Sequence, residues 1–515
     1  MRRLLNSAFL ILTLAAAAKA EVTLAPLFTD HAVLQRDKPL PVWGHAAAGE
    51  KITVTFRGES ARTTAGADGR WIASLDPLAA NAEGADLVVS GQNTVTLHDV
   101  LVGEVWLASG QSNMEFPVYD PKSTQFHLQN AAAEVAAAKF PLLRQFLVSR
   151  TVAEQPIDTA KGAWDVCSPE TVGRFSAVAY FFARDLHEKL NVPVGIIDST
   201  WGGTPVESWM SPAAIASNPA FAVVGQRWQK NLADYPAKRA LYETQLAIWT
   251  RDAADATAQG PAALAAFLKK NPKQRPPRGP GDSWTPTSLF NGMINPLLPY
   301  ALRGAIWYQG ESNAERASEY HVLFAAMITA WRAHFGQGDF PFYWVNLASY
   351  GVPGDPTNMT YAFLREAQTQ TLALPNSGQA LAIDLGDRSN IHPANKQDVG
   401  HRLALLARTR VYGFTGDDTG PTFTSATREG SALRVRFSHA SGLIAHDKPV
   451  QSLELAGADK KFHPATAKIV GDSLLVSSPL VREPVAVRYA FTNFPEANLY
   501  NGTGLPAVPF RSDDW

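Results

Sequence analysis

Four stretches of this chain place residues capable of acyl chemistry on short turns that follow apolar runs. In EVWLASGQSNM (104–114) the run ends at Gly110-Gln111-Ser112-Asn113. A serine on a tight turn after a buried strand presents its hydroxyl, and the backbone N–H groups that follow are free to bind an oxyanion. Ser112 is therefore the candidate nucleophile. Met114 occupies the place of the second glycine of a lipase-like G-x-S-x-G pattern, which disfavours an α/β-hydrolase elbow. In VGIIDSTWGGTPVESW (194–209) a glycine pair follows the run, and a Gly202 or Gly203 N–H could donate to a carbonyl oxygen. GAIWYQGESNA (304–314) ends in Gln309-Gly310-Glu311-Ser312-Asn313, a cluster that either orients a substrate carbonyl or satisfies its own loop. LAIDLGDRSNIHPANKQDVGHRLA (381–404) sets His392 beside Asp384, Asp387 and Asn390, where an imidazole could take the proton of Ser112. Each motif alone also reads as an ordinary polar turn.

These turns act together only if one open α/β sheet brings the carboxyl ends of their strands side by side, where such sheets hold their sites. The texture of the chain allows this. VWLAS, VGIID, 303–309, PFYWVNLA and QALAID are apolar runs suited to buried parallel strands, and helical patterns over 175–190 and 395–410 accompany them. Ahead of them, alternating segments such as ITVTF (52–56) and RWIASL (70–75), separated by Gly, Asp and Asn turns, predict an all-β region; short strands return after Phe414. The expected organisation is an N-terminal β domain (21–100), an α/β domain in two parts (101–210 and 287–413), a mainly helical insertion between them (211–286) and a C-terminal β domain (414–515). Within the insertion, NPKQRPPRGPGDSWTP (271–286) cannot sit inside a helix or strand.

Composition narrows the function. The 515 residues leave room for roughly three or four folded units. Lys plus Arg (46) nearly balance Asp plus Glu (47), so no overall field recruits nucleic acid or an anionic membrane. Arg2 and Arg3, the apolar run 9–18 and Ala18-Lys19-Ala20 predict a secretory signal peptide over 1–20, and hence a secreted or periplasmic protein without a membrane anchor in its mature form. Cys167 has no second cysteine to pair with and reads as a small buried apolar residue. No HExxH, paired-Cys or Gly-rich phosphate motif is present.

The ordered blocks GQSNM, WGGTPVESW, YQGESN and IHPANKQDVGHRLA resemble the sialate O-acetylesterase family of SGNH-type carbohydrate acetylesterases. AVLQRDKPLPVWGHA and NFPEANLYNGTGLPAVPFRSDDW resemble its flanking β segments, so the likeness covers nearly the whole mature chain. The resemblance implies a three-layer α/β/α SGNH-hydrolase-like catalytic domain, interrupted by the helical insertion and flanked by β-sandwich-like regions. It also implies that Ser112 attacks an acetyl carbonyl, that His392 is the general base, and that the oxyanion is held by the Ser112 and Gly203 N–H groups and the Gln309 side chain. Water activated by His392 then releases acetate, so the resemblance implies that neither a metal nor an organic cofactor is needed. Many relatives carry Asp three residues before the histidine, where this chain has Ser389. The third member of the triad is therefore Asp384, Asp387, a carboxylate from elsewhere, or absent in a Ser–His dyad. The implied partner is an O-acetylated oligo- or polysaccharide, with plant hemicellulose (xyloglucan or xylan) favoured over sialic acids. A non-catalytic carbohydrate-binding protein is the reading of another class.

Overall fold

The computed structural model describes residues 21–446 and 448–515, and the expected signal peptide lies outside the described residues. Its central feature is a mixed sheet built on β1 (Thr94–Gly110), β2 (Phe140–Leu147), β3 (Trp164–Cys167), β4 (Val194–Thr200), β5 (Gly304–Tyr308), β6 (Phe342–Asn346) and β7 (Ser377–Leu381). Their order across the sheet is β3-β2-β4-β1-β5-β6-β7. All neighbours run parallel except β3, which returns antiparallel along β2. Every residue of β4 to β7 is buried, the pattern of strands covered on both faces.

Strand alternation explains the covering. Trp106 of β1 meets Phe182 of α1 (Ala177–Leu190), whereas Trp307 of β5, level with Ser109, meets Phe324 and Trp331 of α4 (Ala317–Phe335). Residues 106 and 109 point to opposite faces because successive side chains alternate, so the two helices lie on opposite sides. The sheet is completed by α5 (Thr360–Gln370), packed on α4, and α6 (Gln397–Arg410), packed on α1.

The seventeen residues of β1 join two parts of the molecule. Its first half pairs antiparallel with Asn81–Ser90 and parallel with Val33–Gln35, while residues 104–110 pair with β4 and β5. The boundary expected between residues 100 and 101 therefore falls inside a continuous strand. Consistent with this, the apolar side chains of the N-terminal β region and of the central sheet form one core, from Val22 to Ala407. After residue 414 two further four-stranded sheets enclose a second core that includes Leu433, Val435, Leu474, Val476 and Tyr489.

The insertion is a helical arm. α2 (Ala222–Ala258) and α3 (Pro261–Lys270) pack on each other, and of the 37 residues in α2 only Val224 and Ala256 are buried. No helix among the described residues is long and apolar enough to cross a membrane. Cys167 is buried, which pushes its thiol up to about 12 and leaves it no nucleophilic character near neutrality.

Candidate active site

Register places the site. Gly110 at the end of β1 is level with Thr200 of β4 and Tyr308 of β5, so the turns after these three strands emerge together. The turn after β1 needs glycine: Gly110 has φ +134, and a Cβ there would stand 2.3 Å from the Tyr308 carbonyl oxygen. Gln111 then caps a short helix, Ser112–Glu115, whose Met114 and Glu115 N–H groups donate to the Gln111 carbonyl. This leaves Ser112 at the first helical position, with its N–H outside the helix ladder.

His392 arrives on the loop after β7. Its Nε2 lies 2.9 Å from Ser112 Oγ, bringing together two residues 280 positions apart. The loop is set by local side-chain turns: Asp387 Oδ1 accepts from the Ser389 and Asn390 N–H groups, and Asn390 Oδ1 accepts from the His392 N–H. The imidazole is buried, with the Phe126 ring edge-on at 4.9 Å. Burial first, and then the positive charge of Lys396, lower its pKa to about 4, so the ring is neutral and able to accept a proton at pH 7.

The carboxylates considered as the triad acid are placed elsewhere. Asp384 is held by both terminal nitrogens of Arg402, at 2.7 and 2.8 Å, because that arginine rises from α6 directly beside the end of β7. Asp387 is engaged by the N–H groups of its own loop. Among the described residues no carboxylate forms a hydrogen bond or ion pair with the His392 ring.

Gln309 also departs from the role the resemblance implies. It is completely buried; its amide nitrogen donates to the Thr204 carbonyl (3.1 Å) and Asn313 Oδ1 (2.8 Å), and its Oε1 accepts from the Tyr320 hydroxyl. With both amide hydrogens engaged, this side chain braces the turns after β4 and β5 and has no donor left for an oxyanion. Gly203, by contrast, has φ +73 and open space where a Cβ would be. Neither its N–H nor that of Ser112 donates a hydrogen bond among the described residues.

Three residues that the motifs contain, without any sign of their pairing, tie the site together. Asn113 donates to Glu311 Oε1 (2.6 Å) and to the carbonyl of Ile391 (3.0 Å), the residue before His392, and its Oδ1 accepts from Lys396 Nζ (2.7 Å). One side chain thus fastens the turn that carries Ser112 to the loop that carries His392. Burial lowers the pKa of Lys396 and raises that of Glu311.

A cavity of about 530 Å³ opens beside this centre, lined by Glu115, Tyr119, Phe126, Arg150, Arg174 and Asp198. Both arginines stand among carboxylates, Arg150 beside Glu115 and Asp198 and Arg174 paired with Asp165. No group of three or more His, Cys, Asp or Glu among the described residues is arranged to hold a metal ion. A serine hydroxyl against a neutral imidazole, with two free N–H groups nearby, is the equipment of acyl transfer to water.

Comparison with known proteins agrees with that chemistry. Residues 280–408 match the family model described as carbohydrate esterase, sialic acid-specific acetylesterase. The sialate O-acetylesterase of Rattus norvegicus is 29% identical over 95% of this chain and 94% of the rat protein, and that of Homo sapiens is 28% identical over 91% and 88%. A crystal structure of a carbohydrate acetylesterase from Xanthomonas citri is 39% identical, covers 96% of this chain and 100% of its own, and superposes with a TM-score of 0.79.

Proposed function

This chain belongs to the sialate O-acetylesterase family of carbohydrate esterases, and on that premise we propose that it removes acetyl groups from neutral glycans with a Ser112–His392 dyad. The enzyme is a carboxylic ester hydrolase. The observation that carries the assignment of residues is the 2.9 Å contact between Ser112 Oγ and His392 Nε2 at the strand ends. His392 takes the hydroxyl proton as Ser112 attacks the acetyl carbonyl, and the developing oxyanion is received by the Ser112 and Gly203 N–H groups. The imidazolium then protonates the departing sugar oxygen, leaving an acetyl-serine; water, deprotonated by His392, releases acetate. We read the central sheet with its helices as the three-layer SGNH-hydrolase-like catalytic domain and the outer β regions as sandwich-like supports of a secreted or periplasmic enzyme.

The preference for a neutral glycan such as acetylated xylan or xyloglucan rests on charge. A sialic acid carboxylate calls for a free guanidinium in its pocket. Arg150 shares its cavity with the carboxylates of Glu115 and Asp198, Arg174 is paired with Asp165, and Arg388, the arginine nearest His392 in sequence, lies over the Phe494 ring at 4.5 Å. Acetate release from acetylated xyloglucan, acetylated xylan and O-acetylated sialosides tests the reading, with Ser112→Ala as the control. We expect release from the neutral glycans that disappears in the variant. Release that survives in Ser112→Ala would overturn the mechanism, and release from sialosides alone would overturn the substrate class.

A further inference from the structure

At the root of the helical arm, on the other side of the Gly202-Gly203 turn, lies a second and smaller cavity of about 230 Å³. Trp228 of α2 and Trp284 of the loop that closes the insertion line it, with Arg278, Arg316, Glu207 and Asn231 around them. The glycine turn contacts both Ser112 and Trp284, a wall of this cavity. A Cβ placed on Gly202 would stand 3.2 Å from that of Ser112, while the Gly203 carbonyl accepts a 2.6 Å hydrogen bond from Trp284 Nε1.

The two indoles are not equivalent. Trp284 is held by that bond and has the Arg278 guanidinium stacked on its ring at 3.8 Å. Trp228 has neither an aromatic ring nor a cation stacked on it among the described residues, and it is only half-buried. It is a free apolar face in a concave site with polar groups at its edge, the composition of a small-ligand pocket. The volume falls below the roughly 300 Å³ at which drug-sized ligands begin, which limits the occupant to one sugar-sized ring. The charges limit it further: Arg278 pairs with Asp282, and Arg316 and Arg227 pair with Glu207. No guanidinium is left over to neutralise an acidic sugar.

We infer that this cavity is a glycan subsite in which Trp228 stacks on a neutral pyranose of the substrate's main chain, a sugar near the one whose acetyl group reaches Ser112. The inference rests on the esterase reading above and names the glycan contact it lacks.

The test compares wild type and Trp228→Ala on p-nitrophenyl acetate, which has no sugar, and on acetylated xylo-oligosaccharides. We expect kcat/KM for the oligosaccharides to fall about tenfold, through KM, with p-nitrophenyl acetate turnover unchanged. Equal losses on both esters, or none on either, would overturn the subsite. Trp228→Phe keeps a ring and should retain most of the oligosaccharide activity; a loss as large as that of the alanine variant counts against stacking. Binding of xylohexaose to Ser112→Ala, followed by calorimetry, is the readout independent of turnover. Affinity that drops when Trp228→Ala is added supports the subsite even if no acetate is ever released, whereas unchanged affinity overturns it even in an active esterase.

Discussion

His392 works in surroundings that hold its imidazole neutral, and the pH dependence of the reaction should show it. With a pKa near 4, the base is ready over the whole neutral range, so the acid limb of kcat/KM should fall near pH 4 instead of near the usual imidazole value of about 6.5. Part of this depression comes from the Lys396 charge. Lys396→Met should therefore move the limb upward, which a pH–rate profile measures directly. The two carboxylates near the base divide differently from a triad. Asp384→Asn breaks a buried ion pair with Arg402 and should cost about 3 kcal/mol of stability, seen as a lowered melting temperature, with little change in turnover of the folded enzyme. Asp387→Asn should leave both nearly unchanged. A serine and a histidine after apolar runs could be picked out from residue types alone. The direction of a carboxylate could not: Asp384 is eight residues from His392, but its partner Arg402 lies on the next helix. The Asn113 cross-link was equally hidden, because Glu311 and Lys396 lie 198 and 283 residues away in sequence.

At the scale of elements, the turn after β1 is the most sensitive piece of backbone. Gly110→Ala would drive a methyl into the Tyr308 carbonyl and force β1 from β5, shifting Ser112 relative to His392. A displacement of about 1 Å is enough for about a hundredfold loss of rate, and acetate release should fall by at least that much. Gly203→Ala meets open space and has only its φ of +73 to sustain, at about 1 kcal/mol. It should fold, melt within a few degrees of wild type and lose far less activity. Paired measurements of melting and turnover distinguish the two glycines. The buried strands were legible as unbroken apolar runs and the helical arm as an Ala-rich periodic segment. Their lateral order was not, since a parallel strand of five buried residues carries no mark of its neighbours.

The whole molecule divides by its cores more than by its chain boundaries. Because β1 and one apolar core are common to the N-terminal β region and the central sheet, removing residues 21–93 should leave Leu97, Val100 and Val102 uncovered and give an insoluble product. The arm behaves oppositely: replacing residues 238–274 with a short Gly/Ser linker removes almost no buried apolar surface, and scanning calorimetry should show an unchanged main transition. The order of strands also bears on synthesis. Beyond the β4–β1 pair, strands β5, β6 and β7 lie side by side at one edge of the sheet in their order along the chain, and His392 follows the last of them. At about 5–20 residues per second, His392 follows Ser112 by roughly 15 to 55 s. On the dyad proposed above, the nascent chain carries during that interval a hydroxyl without its base, and a polypeptide halted before residue 392 should release no acetate from acetyl esters.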